Sequence, residues 1–435
     1  MKDTSASSGK KCTQVKITVK RTVIEKKMTT TLTVFTLNCW GIPLVSKHRS
    51  ARMCAIAKQL SEKDYDFACL QEVWAVKDYQ LLKKKLSGSL PHSHYFYSGV
   101  LGSGLCIFSK HVIENAIFHR WPLNGYAHKV QHGDWFGGKG IALCTFIINT
   151  LKVNVYNVHM HAEYSPEGPN KYLAHRVSQA FDTAQFIHVT SAYADISVVA
   201  GDFNAEPADL CYRVLEQHAD LLNTFCMASK VFNDNGMGTN ECIRNSYACP
   251  KAVQNCPQGK QIDHIMYKAA IGKEVKVLSY GLPFPKRVAG QDFSYSDHEA
   301  VSATLVVTNS PSDGFQPQKN RCKEELAALG EARAVVSKGL RSVSFDRKAY
   351  SLASACLILF LVASIGNLTR EGSIFYFILI ALRAVAVILL VFTFFMASVW
   401  HSLEKNALLA VDEALKVVLM YPPNYGDESD LPRTS

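Results

Sequence analysis

The chain has 435 residues, 48% of them hydrophobic, and a formal charge of +10. That length exceeds one typical domain and fits a single large sandwich with appendages. Residues 1–27 carry eight Lys/Arg against two acids, so +6 of the charge sits in this leader; a near-neutral body argues against a nucleic-acid partner.

The leader (1–30) has no apolar run of secretory length and reads as a basic, disordered arm, with Met28 as a second candidate start. Thirteen cysteines, several inside apolar runs (Cys69, Cys106, Cys144), read as free thiols in a reducing compartment. Cys242, Cys249 and Cys256 recur every seven residues. Zinc favours tighter pairs and a fourth ligand, so they read as plain thiols.

From Thr31 to Thr308 apolar strands alternate with amphipathic segments, which predicts a mixed α/β domain over 31–308. Leu32–Leu37 ends in Asn38. Arg49–Ser61 has helical spacing, with Met53, Ile56, Ala57 and Leu60 on one face. Tyr65–Leu70 ends in Gln71-Glu72, and Val153–Val158 ends in His159. A longer helix is expected over Tyr172–Tyr193. Ile196–Ala200 closes in Gly201-Asp202-Phe203-Asn204, where Gly201 is expected to make a turn. Gln261–Tyr267 carries Asp263, and Ser296-Asp297-His298 precedes the apolar run Ala300–Val307. Carboxylates, amides and imidazoles at the ends of several strands imply one shared site.

After Val307 the composition changes. Residues 309–348 read as a polar linker with a short amphipathic helix over Glu324–Leu340. Two apolar runs follow, Tyr350–Leu368 and Ile374–Trp400, the second interrupted only by Arg383. Each is about long enough to span a bilayer, so 349–402 is expected to form a membrane hairpin and not a pair of core helices. Arg383 is expected to bound a shorter span or to contact the first helix. Arg347 and Lys348 before the hairpin and Lys405 after it place both ends, and the catalytic domain, in the cytosol. Residues 403–435 form a tail. The sequon at Asn367 hugs the membrane and is expected to stay unused. Nothing in the chain fixes an oligomeric state.

The chemistry of the set is that of hard ligands and proton carriers. Glu72 and Asn38 suit Mg²⁺. Asp202 and Asn204 add acceptors and a donor. His159 and His298 can move protons near neutral pH, with Asp297 or Asp263 to orient an imidazole. No serine elbow or Walker loop is present. Together these suggest metal-assisted attack of water on a phosphoryl centre, with zinc less favoured because carboxylate and amide outnumber His and Cys.

In that order along the chain, Asn38, Glu72, His159, Asp202, Asn204, Asp263 and Ser296-Asp297-His298 resemble the endonuclease/exonuclease/phosphatase superfamily. Within it the chain is similar to the membrane-anchored, neutral, magnesium-dependent sphingomyelinases of animals. The stretches that carry this include Leu37–Pro43, Gly102–His111, His132–Phe136, His159–Tyr164, Tyr172–Arg176 and Ser296–Ala300. The resemblance implies a four-layer α/β sandwich of two β-sheets flanked by helices, followed by the transmembrane hairpin. It implies phospholipase C-type hydrolysis of sphingomyelin to ceramide and phosphocholine with Mg²⁺, or Mn²⁺ in its place. Lysophosphatidylcholine-type lipids, a metal-dependent nuclease and a tethered non-catalytic binding protein are the alternatives.

It further implies roles. Glu72 and Asn38 would hold the metal, and His298, oriented by Asp263, would take a proton from water. Asp202 and Asn204 would hold the phosphate. His159 would assist phosphate binding or the leaving group, and Asp134 with Lys139 would form a switch. Trp40, Trp74, Tyr126 and Trp135 are candidate walls for the choline. The endoplasmic reticulum is the implied membrane.

Overall fold

The computed structural model describes residues 29–129, 132–164, 170–232, 238–310, 319–365 and 374–421. The basic arm, the sequon at Asn367 and the break around Arg370 and Glu371 lie outside these residues. In chain order the elements are β1 (Thr29–Asn38), α1 (Arg49–Ser61), β2 (Phe67–Gln71), α2 (Val76–Lys85), β3 (His92–Phe96), β4 (Leu105–Ser109) and β5 (Asn115–Arg120). Then come α3 (Asp134–Gly137), β6 (Gly140–Ile148), β7 (Leu151–His159), α4 (Leu173–Thr190), β8 (Ile196–Asp202), α5 (Leu210–His218), β9 (Leu222–Asn223) and α6 (Thr224–Met227). The chain continues through β10 (Val231–Phe232), α7 (Pro250–Asn255), β11 (Asp263–Ala269), β12 (Lys273–Gly281), β13 (Val301–Asn309), α8 (Lys319–Ile365), α9 (Ile374–Phe395) and α10 (His401–Met420).

The strands form two sheets, in the orders β10-β12-β13-β1-β2-β4-β3 and β5-β6-β7-β8-β11-β9. They pack face to face because their inward positions are apolar and alternate with outward apolar positions. In β1, Leu32 and Val34 join the core between the sheets, while Phe35 and Leu37 face α1 with Met53, Ile56 and Leu60. In β8, Ile196, Val198 and Ala200 point between the sheets and Val199 points to α4 and α5. With α1 and α2 outside one sheet and α4 and α5 outside the other, the architecture is a four-layer α/β sandwich.

Register places the chemistry. β7 and β8 run parallel with His159 opposite Asp202. β8 and β11 run antiparallel with Asp202 opposite Asp263. Three neighbouring strands therefore end with His159, Asp202 and Asp263 abreast. In the other sheet β1 lies parallel to β2, with Asn38 opposite Gln71 and Glu72 next in the chain. Gly201 does not turn the chain. It stays in β8 at φ 147°, where a Cβ would stand 2.0 Å from the Val158 carbonyl oxygen, so glycine is required by the close approach of β7.

The C-terminal region differs from the expected linker and tail. From Lys319 the chain is one 47-residue helix, about 70 Å long at 1.5 Å per residue. Nothing in it breaks the helix between Leu340 and the apolar run. Ala328, Leu329, Ala332 and Val336 pack with α4 and α5. His218 to Glu325 at 2.8 Å and Arg213 to Glu331 at 2.6 Å fasten that half. Past Ser351 the helix exposes Leu352, Leu359 and Val362.

α9 returns antiparallel to α8. Ser354 Oγ meets Thr393 Oγ1 at 2.8 Å, and Arg383 reaches Ser364, donating from Nε to its hydroxyl at 3.0 Å. Arg383 thus contacts the first helix. Among the described residues two helices, with 18-residue stretches of mean hydropathy 1.8 and 2.8, are long and apolar enough to cross a membrane. After a π-helical turn (Met396–Trp400), α10 packs back onto the catalytic domain through Leu408 and Leu415. Residues 401–420 form a helix because apolar positions recur at helical spacing and find the exposed side of α4 and α8.

Candidate active site

The site lies where the ends of both sheets meet. Asn38, at the end of β1, donates from Nδ2 to Asp202 at 3.0 Å and to Glu72 Oε1 at 3.2 Å. His298, just before β13, meets Asp263 through Nδ1 at 2.8 Å, and its Nε2 stands 3.9 Å from Asp202. His159 Nε2 lies 3.6 Å from Asp202 and 3.8 Å from Glu72. Asp202 is the shared centre, touching the Glu72–Asn38 side and the Asp263–His298 side. Every residue expected at the core of the site is brought to this one place, and between the two candidate orienters Asp263 holds the imidazole. Asp297 instead takes a hydrogen bond from the Ser296 hydroxyl at 3.2 Å.

Residues 35–298 match the profile of the endonuclease/exonuclease/phosphatase family. The chain belongs to this family. It is 37% identical to sphingomyelin phosphodiesterase 2 of Rattus norvegicus over 79% of this chain and 82% of that one. It is 30% identical to inositol phosphosphingolipids phospholipase C of Schizosaccharomyces pombe over 64% of this chain and 69% of that one. The crystal structure of sphingomyelinase C from Streptomyces griseocarneus superposes at a TM-score of 0.49 and 18% identity, over 63% of this chain and 99% of that one.

In this member of the endonuclease/exonuclease/phosphatase family, the loops carrying these residues are held in uncommon backbone conformations. Trp40, Glu72 and Asn204 have φ of 46°, 55° and 47°. Non-glycine residues rarely adopt this region, and it concentrates at functional sites. Glu72 is fixed by its own carbonyl, which accepts from Gly41 N at 2.9 Å. A Cβ on Gly41 would stand 2.2 Å from that oxygen. Asn204 completes an Asx turn, its N–H donating to Asp202 Oδ1 at 2.9 Å, and its Nδ2 donates to the Met160 carbonyl at 3.0 Å.

Burial sets the charge states. Glu72 is pushed up to about 7 by burial, with Asp297 nearby adding to the shift. Burial, then Asp263, raises Asp202. For His298 burial works against the charged form, yet Asp263 and Asp202 outweigh it and hold the imidazole well above its ordinary value. His159 is driven well below its ordinary value by burial, then by Lys139 and His298. It is therefore neutral, and Nε2 accepts from Lys139 Nζ at 3.0 Å.

These residues fit a hard divalent cation. The ligand atoms of Asp202, Asp263 and His298 lie within 4.8 Å of one another, and Asp263 Oδ1 is buried without a hydrogen-bond partner among the described residues. Glu72 with Asn38 offers a second oxygen-rich face on the other side of Asp202. Buried carboxylates without matching cations are costly, and oxygen donors of this kind suit Mg²⁺.

Lys139 and Asp134 lie one step behind this centre. Their buried charges meet at 2.5 Å. Lys139 also donates to the Met160 carbonyl at 3.1 Å. Asp134 is supported by the Tyr164 hydroxyl and by His161 at 3.7 Å. Burial would raise its carboxyl, but Lys139 outweighs that and holds it below the ordinary range. Trp74 reaches the site, its indole N–H 3.5 Å from Glu72 Oε2, whereas Tyr126 and Trp135 lie beside Trp400 of the π-helical turn.

Several supporting residues gave no individual signal. Arg52, fully buried on α1, donates to the carbonyls of Cys39 at 2.7 Å, Trp40 at 2.7 Å and Lys47 at 2.8 Å, tying the loop after β1. Beneath the site Gln71 Nε2 donates to Asn157 Oδ1 at 2.7 Å, bridging the two sheets. Asn157 could have been noticed as an amide at an inward position of an apolar run. Arg52 could not, since one arginine on a helix reads as solvated.

Proposed function

We propose that the protein is a Mg²⁺-dependent sphingomyelin phosphodiesterase. It hydrolyses the bond between ceramide and phosphocholine at a membrane surface, by attack of water on the phosphodiester. The observation that carries this is the Asp263–His298 pair aimed at Asp202, beside Glu72 and Asn38. The names of relatives supply the substrate class. The spans anchor the catalytic domain to its substrate's membrane, with that domain on the cytosolic face and the endoplasmic reticulum as the membrane. Nucleic acid is not a partner.

Glu72 and Asn38, with Asp202 shared, would hold the cation. When bound, Mg²⁺ supplies charge neutralisation for the buried carboxylates and the phosphate and polarises the phosphoryl oxygens. Asp263 accepts from His298 Nδ1 and orients the ring, so that Nε2 of the deprotonated imidazole takes the proton of the attacking water. Asp202 positions that water against the phosphorus through the 3.9 Å gap to His298. Asn204 and neutral His159 border the phosphate, His159 with its Nε2 edge toward Asp202 and Glu72. Lys139 keeps His159 neutral and carries positive charge toward the phosphate, and Asp134 governs its position. Trp40 and Trp74 border the headgroup.

The decisive assay is phosphocholine release from sphingomyelin in mixed micelles, with Mg²⁺ or chelator, for wild type and His298→Ala. Release that needs both Mg²⁺ and His298 is expected. Release from lysophosphatidylcholine alone would move the substrate and keep the mechanism. Cleavage of abasic DNA instead, or no hydrolysis at all, would overturn the reading.

A further inference from the structure

A second cavity, of about 320 Å³, opens away from the catalytic centre, between the loop Tyr126–Lys129, the middle of α8 and the start of α10. None of the catalytic residues lines it. Its position is defined by Tyr350 and Met396, where the first apolar run begins and the second ends. Its floor is therefore protein and its rim is at the depth of lipid headgroups.

The lining carries both signs of charge. Asp346 and Glu404 bring carboxylates, and Trp400 and Tyr126 stand beside them with ring centroids 6.3 Å apart. Glu404 is already committed, to His175 Nε2 at 3.0 Å and Trp400 Nε1 at 3.1 Å. Asp346 has no hydrogen bond or ion pair among the described residues, and burial followed by the neighbouring Glu404 raises its carboxyl. His128 and Lys171 across the cavity act against that rise without bonding to the carboxylate, and a carboxylate free of hydrogen bonds beside aromatic rings is the recognition chemistry of a quaternary ammonium. Lys171 and Arg347 line the same cavity. Lys129 lies over the rings of Tyr126 and Tyr172 at 4.8 and 4.7 Å. Cations at this spacing from an acidic, aromatic corner match a phosphate joined to an ammonium. A simple anion would meet two carboxylates, and a simple cation three basic groups.

We infer that this cavity binds the phosphocholine headgroup of a bilayer lipid, at a site separate from the catalytic centre. The ammonium lies against Asp346, Trp400 and Tyr126, and the phosphate faces Lys171 and Arg347. The lipid's acyl chains run along the exposed apolar flank of α8 and α9. The site lets the enzyme seat itself on choline-lipid surfaces without occupying its active centre.

The test uses the full chain in detergent, with chelator present so that nothing is hydrolysed. Native mass spectrometry counts lipid retained from equimolar phosphatidylcholine, phosphatidylethanolamine and phosphatidylglycerol, and a parallel arm offers free phosphocholine. One retained phosphatidylcholine is expected, reduced about tenfold by Asp346→Asn and by Lys171→Ala, and preserved by Asp346→Glu. Both altered residues are exposed and outside the catalytic machinery, so hydrolysis of a short-chain soluble substrate stays at the wild-type rate. Equal retention by wild type and Asp346→Asn would overturn the proposal. So would a preference for phosphatidylglycerol that Asp346→Asn increases, which marks an anion site. Retention of free phosphocholine without retention of the lipid would overturn the lipid as its source. The readout is binding alone, so the outcome stands apart from the catalytic reading.

Discussion

His298 and Asp263 come from opposite sheets and meet at 2.8 Å over the open end of the sandwich. Asp263 opens β11, and His298 sits just ahead of β13. Neither sheet alone can form the pair, so the relative placement of the sheets decides whether a base exists. Asp263→Asn keeps the shape and removes the charge that holds the imidazole up. The expected loss in kcat is about 10²-fold or more, with KM little changed. Because Asp263 raises His298, the pH at which His298 loses its proton falls in the variant. A kcat profile against pH checks both effects, and an unchanged profile would place the base elsewhere.

Glu72 gives a prediction about metal and pH together. Its folded value of about 7 lies above the ordinary 4.5, so the metal-free fold holds a proton that the unfolded chain has released. That contribution to stability is full below the unfolded value and is lost as pH rises through about 7. With chelator present, the melting temperature is expected to drop by several degrees between about pH 5 and 8. Mg²⁺ competes with the proton, so its affinity rises across the same window and it removes the drop. Glu72→Gln abolishes the pH dependence and weakens Mg²⁺ binding, as calorimetric titration would show.

The Asp134–Lys139 pair is buried, so breaking it differs from removing it. Asp134→Asn leaves Lys139 uncompensated and is expected to cost about 3–5 kcal/mol. Asp134 is held below its ordinary value, so its contribution is present above the unfolded value and fades as pH falls through the folded one. The double change Asp134→Leu with Lys139→Met recovers much of that stability and leaves activity low, because His159 loses its Lys139 partner. Urea denaturation and turnover measured on the same samples separate the two.

Glu404 joins the returning helix to the catalytic domain through His175. Glu404→Ala strands the buried partners His175 and Trp400 and is expected to cost about 1–3 kcal/mol. Because α10 packs on α4 and α8, the loss appears in the melting of the catalytic domain itself. A domain melting at the wild-type temperature in this variant would show that α10 does not brace it.

Arg52→Lys keeps the charge of α1 and discards the fork that reaches several carbonyls at once. The loop carrying Trp40 loses hydrogen bonds that a compact ammonium cannot replace. A loss of about 2–3 kcal/mol is expected, with weaker Mg²⁺ binding, since Asn38 ends β1 immediately before that loop.

The sequence by itself determined the strands that end at the site, their polar terminations and the two long apolar runs, because each is written in local order. An apolar run closed by a carboxylate or imidazole is recognisable without knowing what it faces. For the same reason Asn38, Glu72, His159, Asp202, Asp263 and His298 were legible as one set. Only the tertiary structure decided how they are arranged. That Asp263 and not Asp297 holds His298, that Asp202 sits between the two halves, and that the Glu72 carboxyl is pushed up to about 7 all depend on burial and on the register of strands distant in the chain. The same holds for Arg52, whose partners are backbone carbonyls that carry no residue signature. Gly201 read as a turn because local order cannot show β7 approaching within contact. The last twenty residues of described helix read as a tail because an amphipathic face has no meaning until the surface that covers it is known.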